Sequence, residues 1–169
     1  MIEEKLASST WTDEKGITST FTWYPGDNLE EFQPFTQVYG VCFNDEDKIL
    51  IQRRGERPWC LAGGTVEAGE SAEDTLRREL IEEADVTLKN PILLGGQRVS
   101  VDGHDTSYQL RYYCEVNEIL PQTPDPDTNI INERKFVSPS EINEYLRWGA
   151  TGKAIFTQAT SLREKIHSD

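Results

Sequence analysis

The chain lacks what would carry it into or across a membrane. None of its 169 residues lies in an apolar run approaching the ~18 residues of a membrane-spanning helix. MIEEKLASST opens on acidic residues and has neither the basic start nor the apolar stretch of a secretory signal. Cysteine is sparse: Cys42, Cys60 and Cys114 are odd in number, widely spaced and without a CxxC pair, a pattern that suggests neither a disulfide framework nor a zinc site. A reducing, cytoplasmic setting is expected. Basic residues are also short, with 17 Lys and Arg against 30 Asp and Glu and a formal charge of -13. Such a surface repels the phosphates of duplex nucleic acid, so neither a duplex nor a membrane is an expected partner. A phosphate ligand must be small and escorted by a cation.

With 36% hydrophobic and 28% charged residues, the composition is that of a globular chain, and its length suits one domain. We expect a single domain over 1–169, with an N-terminal extension of strands to about residue 36 and a C-terminal helix over 150–169. QVYGVCF, the polar NDEDK and ILIQRR read as two strands in a hairpin. Arg53, Arg54 and Arg57 follow at the second strand's exit. VTLKNPILLGGQRVSV and TSYQLRYYCEV read as further strands around a loop containing His104, and PQTPDPDTN as an exposed loop. A last strand, ERKFVS, precedes helical patterns at 140–146 and about 152–166.

The chemistry concentrates between these parts. Ser71 can accept from the backbone of Asp74 while Asp74 reaches back, a capping box that starts a helix running to about Ala84. Asp85 then suits a left-handed turn. At 100° per residue, Leu76, Leu80 and Ala84 fall about 40°, 80° and 120° from Ala72 and define an apolar stripe. Glu79 at about 340° and Glu83 at about 20° lie within or against that stripe, and Glu82 stands at about 280°. Acids one turn apart at a buried edge repel one another and resist ionisation. A hard divalent cation resolves both conflicts, and oxygen ligands suit Mg²⁺ or Mn²⁺. Gly63 and Gly64 let the backbone pass close by, with the Gly63 carbonyl a candidate ligand.

Two plainer readings compete. The helix could be a solvated acidic surface laced by Asp74–Arg78, Glu73–Arg77 and Arg78–Glu82 pairs, each worth a few tenths of a kcal/mol; the placement of Glu79 and Glu83 against the apolar stripe and the glycines before them speak against it. Gly64, Gly69 and Ser71 also have the spacing of a phosphate-cradling P-loop. Glu70, however, stands where that loop needs lysine and would repel the phosphates.

Gly64, Glu70, Arg78, Glu79, Leu80, Glu82, Glu83 and Val86 stand in register with the Nudix box, and the 23-residue segment from Gly64 to Val86 resembles that family closely. Asp85 departs from it, standing where the family has Gly. Outside the box, ILIQRR followed by Trp59 is similar to the family's approach strand, although Ala62 replaces a common Pro. The resemblance runs from about Gln37 to Ile142. It implies an α/β fold, an α/β/α sandwich with a mixed central sheet, and hydrolysis of the phosphoanhydride in a nucleoside diphosphate linked to another group. It further implies that Glu79, Glu82 and Glu83 bind Mg²⁺ or Mn²⁺ and hold or activate the attacking water. Glu70 would support the site, and Arg78 would orient a glutamate. Glu133, near the last strand, stands where some members carry a further base, or is an ordinary loop acid.

Substrate contacts are less defined. Arg53, Arg54, Arg57, Arg98 and Arg111 are candidate phosphate partners, and Trp59, Tyr108, Tyr112 and Tyr113 candidate stacking platforms for a base. Tyr112 and Tyr113 should point to opposite faces of their strand, so at least one packs in the core. His104 is a substrate contact or a turn residue. Val101 stands where ADP-ribose-type members have Pro, so a nucleoside triphosphate, a nucleotide sugar and a dinucleotide all remain open. The other classes of function are a nucleotide-binding module that does not cut its ligand and a structural acidic domain. The sequence leaves room for a homodimer.

Overall fold

The computed structural model describes residues 6–168, so the first five residues of the expected N-terminal extension and Asp169 of the expected C-terminal helix lie outside the described residues. The strands are β1 (Ser8–Thr12), β2 (Thr18–Pro25), β3 (Phe35–Phe43), β4 (Ile49–Arg53), β5 (Ala62–Thr65), β6 (Val86–Val101), β7 (His104–Ile119) and β8 (Glu133–Val137). They form one sheet in the order β1-β2-β6-β7-β3-β4-β8, with β5 beside β3. The β3–β7 pair is parallel and the remaining pairs are antiparallel, so the sheet is mixed.

Alternation along the central strands sends apolar side chains to both faces. Val38, Cys42, Leu110 and Tyr112 pack on one side with Leu76, Leu80 and Ala84 of helix α1 (Ala72–Ala84). Val41, Phe43, Ile49 and Tyr113 pack on the other with Ile142 of α2 (Ile142–Leu146) and Ile155 and Phe156 of α3 (Gly149–Ile166). The result is the α/β/α sandwich that the sequence implied. Among the described residues no helix is long and apolar enough to cross a membrane.

The expected hairpin is closed by Asn44 N–H donating to the Lys48 carbonyl at 2.8 Å, yet β3 and β4 share one registered pair, Phe43 with Ile49. Apolar on both faces, β3 instead lies mid-sheet and takes β5 and β7 as neighbours. The loop expected around His104 shrinks to Asp102 and Gly103, with φ of 48° and 81°, the positive pair that a two-residue hairpin turn requires. His104 is the exposed first residue of β7, opposite Val101.

Helix α1 begins and ends as its sequence dictates. Ser71 Oγ accepts from Asp74 N–H at 3.1 Å and Asp74 Oδ2 accepts from Ser71 N–H at 3.1 Å. Asp85 adopts φ 53°, ψ 45° and donates its N–H to the Ile81 and Leu80 carbonyls.

Candidate active site

The buried stripe of α1 carries Glu79 inward with it, leaving that residue 7% exposed. Two glycines of β5 make room. A Cβ on Gly64 would lie against the Glu79 carboxylate, and one on Gly63 would strike the Val38 carbonyl and Tyr39. Glu83 Oε2 accepts from Gln52 Nε2 at 2.9 Å and from the Gly63 N–H at 3.3 Å. Gly63, whose carbonyl the sequence offered as a candidate ligand, thus also touches the site through its N–H.

Arg78 ties the box acids together. Its Nε and Nη2 grip Glu70 at 2.7 and 3.0 Å, Nη1 reaches Glu79 at 2.9 Å and Glu82 at 3.1 Å, and Nη2 also donates to the Thr65 carbonyl at 2.9 Å. Of the three pairs that a solvated helix would make, only Arg78–Glu82 forms among the described residues. Arg77 donates to the Leu88 carbonyl, and Asp74 is spent in the capping box.

The acids divide electrostatically. The Arg78 hydrogen bonds, then the Glu67 N–H, hold the Glu70 carboxyl down at about 2. Burial pushes Glu83 up to about 8, against the Gly63 N–H, and the charges of Glu79, Asp125 and Glu82 push it further. Burial also raises Glu79 and Glu82, with Arg78 opposing in both. Glu70 is therefore the counter-ion of Arg78, while the other three crowd negative charge into a place that favours a cation.

The loop after β7 corrects the sequence reading. PQTPDPDTN is not simply exposed: Asp125 is 7% exposed, and oxygens of Glu82, Asp125 and Asp127 lie within 4.8 Å of one another. The loop is strapped to the end of α1. Asp85 accepts from Thr123 N–H at 2.8 Å and Thr123 Oγ1 at 2.6 Å. Asn132 Nδ2 donates to the Glu83 carbonyl at 3.1 Å, and Arg134 Nη1 to the carbonyls of Ala84 at 3.0 Å and Leu120 at 2.7 Å. Asn132 Oδ1 is buried with no partner. The one departure from the box, Asp85, therefore tolerates the left-handed turn and also anchors the segment that delivers Asp125. Asp125, Asp127 and Asn132 stand at or beside this cluster, and the sequence reading did not single them out. Their only local signal is the pairing of an acid at 85 with a polar loop some 40 residues later.

The remaining candidates scatter. Arg53, Arg54 and Arg57 line a hollow of about 210 Å³ with Gln52, Glu83 and Asp125. Arg53 also pairs with Glu133 at 3.2 Å and stacks on Trp59 at 4.5 Å. Glu133 stands in an exposed cross-strand ion pair and not among the box glutamates. Trp59 packs edge-on against Tyr145. Arg98 lies over buried Tyr108 at 5.0 Å and pairs with Asp105 at 3.4 Å. Tyr112 and Tyr113 are both buried, one in each core layer, and neither offers a stacking face. Arg111 is buried, with its guanidinium carbon over the rings of both Tyr39 and Trp148.

Comparisons with known proteins agree with this geometry. The NUDIX domain model matches residues 34–159. An uncharacterized Nudix hydrolase of Nostoc sp. is 35% identical over 130 residues, covering 71% of this chain and 73% of that protein. The uncharacterized Nudix hydrolase YvcI of Bacillus subtilis is 41% identical over 60 residues, 35% of this chain and 38% of its own. Among solved structures, the Bacillus subtilis pyrophosphohydrolase BsRppH superposes with a TM-score of 0.64 at 16% identity, covering 95% of this chain and 99% of that one. A NUDIX hydrolase from Nitrosomonas europaea does so with 0.61 at 20% identity, over 76% and 90%. The box geometry, the family match and the Nostoc relative together make this chain a member of the Nudix hydrolases, enzymes that cut pyrophosphate bonds and generally use a divalent metal.

Proposed function

We propose that the chain hydrolyses the pyrophosphate bond of a nucleoside diphosphate linked to a second group, with Mg²⁺ or Mn²⁺ held by Glu79, Glu82, Glu83, Asp125 and Asp127. The observation that carries this reading is the meeting of acids from two separate elements, Glu82 of α1 and Asp125 and Asp127 of the loop, within 4.8 Å. The residues fit a hard cation. All the donors are oxygens, burial pushes the carboxyls of Glu79, Glu82 and Glu83 up, Gly64 leaves Glu79 the space it fills, and the buried Asn132 Oδ1 wants a positive partner.

When bound, the ion supplies Lewis-acid charge neutralisation for the pyrophosphate and activation of water. The chain's own residues do the rest. Arg78 fixes Glu70, Glu79 and Glu82 relative to one another. Gln52 and the Gly63 N–H both bind Oε2 of Glu83, and Oε1 has no hydrogen-bond partner among the described residues. Arg53, Arg54 and Arg57 bring positive charge to a strongly acidic protein where phosphates must settle. One domain acting in a reducing cytoplasm on a small nucleotide remains part of this reading.

The test is a panel of nucleoside diphosphate compounds assayed with Mg²⁺ or Mn²⁺, wild type against Glu83→Gln. Metal-dependent release of nucleotide by the wild type alone supports the reading. Nucleotide binding without metal-dependent turnover of any compound would make the chain a binding module instead.

A further inference from the structure

A second cavity, of about 420 Å³, opens on the α2–α3 side of the sheet. Gln97, Gln109 and Arg111 of β6 and β7 contribute to its lining, with Tyr39, Trp148 and the 62% exposed Trp11. Its lining includes Arg111 and Arg147 and no acidic residue, in a chain of formal charge -13. Cys60 lines both this cavity and the arginine-lined hollow beside Glu83, so the two spaces adjoin.

Arg111 is the unusual member. It is 2% exposed, and no carboxylate pairs with it among the described residues. Tyr39 and Trp148 hold its carbon 4.7 and 5.2 Å from their ring centres, which covers the guanidinium face and leaves donation to the N–H groups of its edge. Nη1 reaches only the Leu110 carbonyl at 3.3 Å, Nη2 reaches Gln109 Oε1 at 3.2 Å, and Nε has no partner. Gln97 Nε2 donates to that same Gln109 oxygen at 3.4 Å, so the oxygen is spent and Gln109 has its N–H donors left over. The lining thus offers the donors of Arg111 and Gln109, beside the Gln97 oxygen and the hydroxyls of Ser9, Thr10 and Thr151. The buried Arg111 Nε without an acceptor is costly, and a ligand that brings acceptors to this guanidinium relieves the cost.

We propose that this cavity seats the nucleobase and selects an oxopurine, whose O6 and N7 present two adjacent acceptors to the Arg111 edge. Arginine meets that pair with two parallel hydrogen bonds, whereas adenine places an amino group where O6 would be and sets donor against donor. The aromatic walls suit a flat ring, and the adjoining hollow receives the phosphates. The inference rests on the nucleotide reading above and adds the identity of the base.

The full chain, without divalent ions, is titrated with GMP, IMP, AMP and inorganic phosphate, read by tryptophan fluorescence and calorimetry. GMP and IMP are expected to bind ~10-fold or more tighter than AMP, because one good bidentate pair discriminates by that much. Arg111→Met should erase the difference. Should that variant fail to fold, the wild-type ranking decides, and Gln109→Leu should narrow it. AMP binding as tightly as GMP would overturn the proposal, and so would phosphate binding as tightly as GMP, which would make the cavity an anion site. Equal kcat/KM for guanosine and adenosine compounds with Mn²⁺ would overturn base selection and leave hydrolysis standing. Selective GMP binding without any turnover would uphold base selection and remove hydrolysis.

Discussion

Helix α1 and the loop at 120–132 deliver carboxylates to one cluster by opposite means. In α1 the helical repeat does the placing: the stripe Ala72, Leu76, Leu80 and Ala84 is buried, and Glu79, Glu82 and Glu83 take their positions from it. The loop has no repeat. Asp125 is held by its own turn, with its backbone N–H on the Ile130 carbonyl at 2.9 Å, and by clamps from Asp85, Asn132 and Arg134 to the end of the helix. An acid on a helix is thus displayed by its neighbours in sequence, whereas an acid on a loop is displayed by partners that only the fold supplies. The two should differ in what disturbs them.

Breaking the helix side should have the larger effect. Glu83→Gln is expected to lower metal-dependent turnover by ~100-fold or more, since even residues behind a metal ligand commonly cost 10–100-fold. Its effect on the metal-free protein should have the opposite sign. Glu83 is raised to about 8, above its unfolded value, so its contribution to stability is full below about pH 4 and is lost as pH rises towards 8. Glu83→Gln should therefore raise Tm at pH 8 and leave it unchanged near pH 4. The wild type should recover the difference on adding Mn²⁺ and the variant should not. A variant less stable than wild type at pH 8 without metal would contradict the burial argument. Asp125→Asn, on the loop side, should weaken Mn²⁺ binding by ~10-fold or more in calorimetry with the fold intact. Unchanged affinity would confine the metal site to α1.

The same contrast explains what the sequence revealed. Capping box, apolar stripe, left-handed Asp85 and the inward Glu79 all follow from spacing within one helix, and all are present. The layers follow from alternation in β3 and β7, where Tyr112 and Tyr113 part to opposite faces as expected. Asp125 was hidden because Pro, Asp and Thr in a run describe a solvated loop equally well. What buries it is a set of bonds spanning 38 to 50 residues of chain. Arg111 was one arginine among several, and only the approach of Tyr39 and Trp148 from distant segments singles it out. Composition and period carry local order, and neither encodes which remote groups meet.

Asp85→Gly tests the clamp by restoring the family's usual residue. Glycine relaxes the left-handed backbone but removes two hydrogen bonds from Thr123 to a carboxylate, each worth roughly 1.5–3 kcal/mol. A net loss of about 2–5 kcal/mol is expected, read as a Tm several degrees lower or more. Turnover should fall by less than ~10-fold, through a looser Asp125. A more stable Asp85→Gly protein would show that the clamp contributes little.

The smallest effect should come from Glu133→Gln. Glu133 stands at the start of β8, its side chain 57% exposed, and it pairs with Arg53 at 3.2 Å, itself 34% exposed. Exposed pairs of this kind contribute about 0–1 kcal/mol. Arg53 keeps Trp59 beneath it at 4.5 Å, so it stays near the hollow it lines when the carboxylate is gone. Stability should move by less than about 1 kcal/mol and kcat by less than ~2-fold. KM is the more sensitive reading: releasing Arg53 from an acid leaves more positive charge for a phosphate, so KM should fall slightly or hold. A ~100-fold loss in kcat with KM unchanged would instead place a proton-accepting group on β8, where sequence alone allowed one, and would make the loop acid a support for the metal.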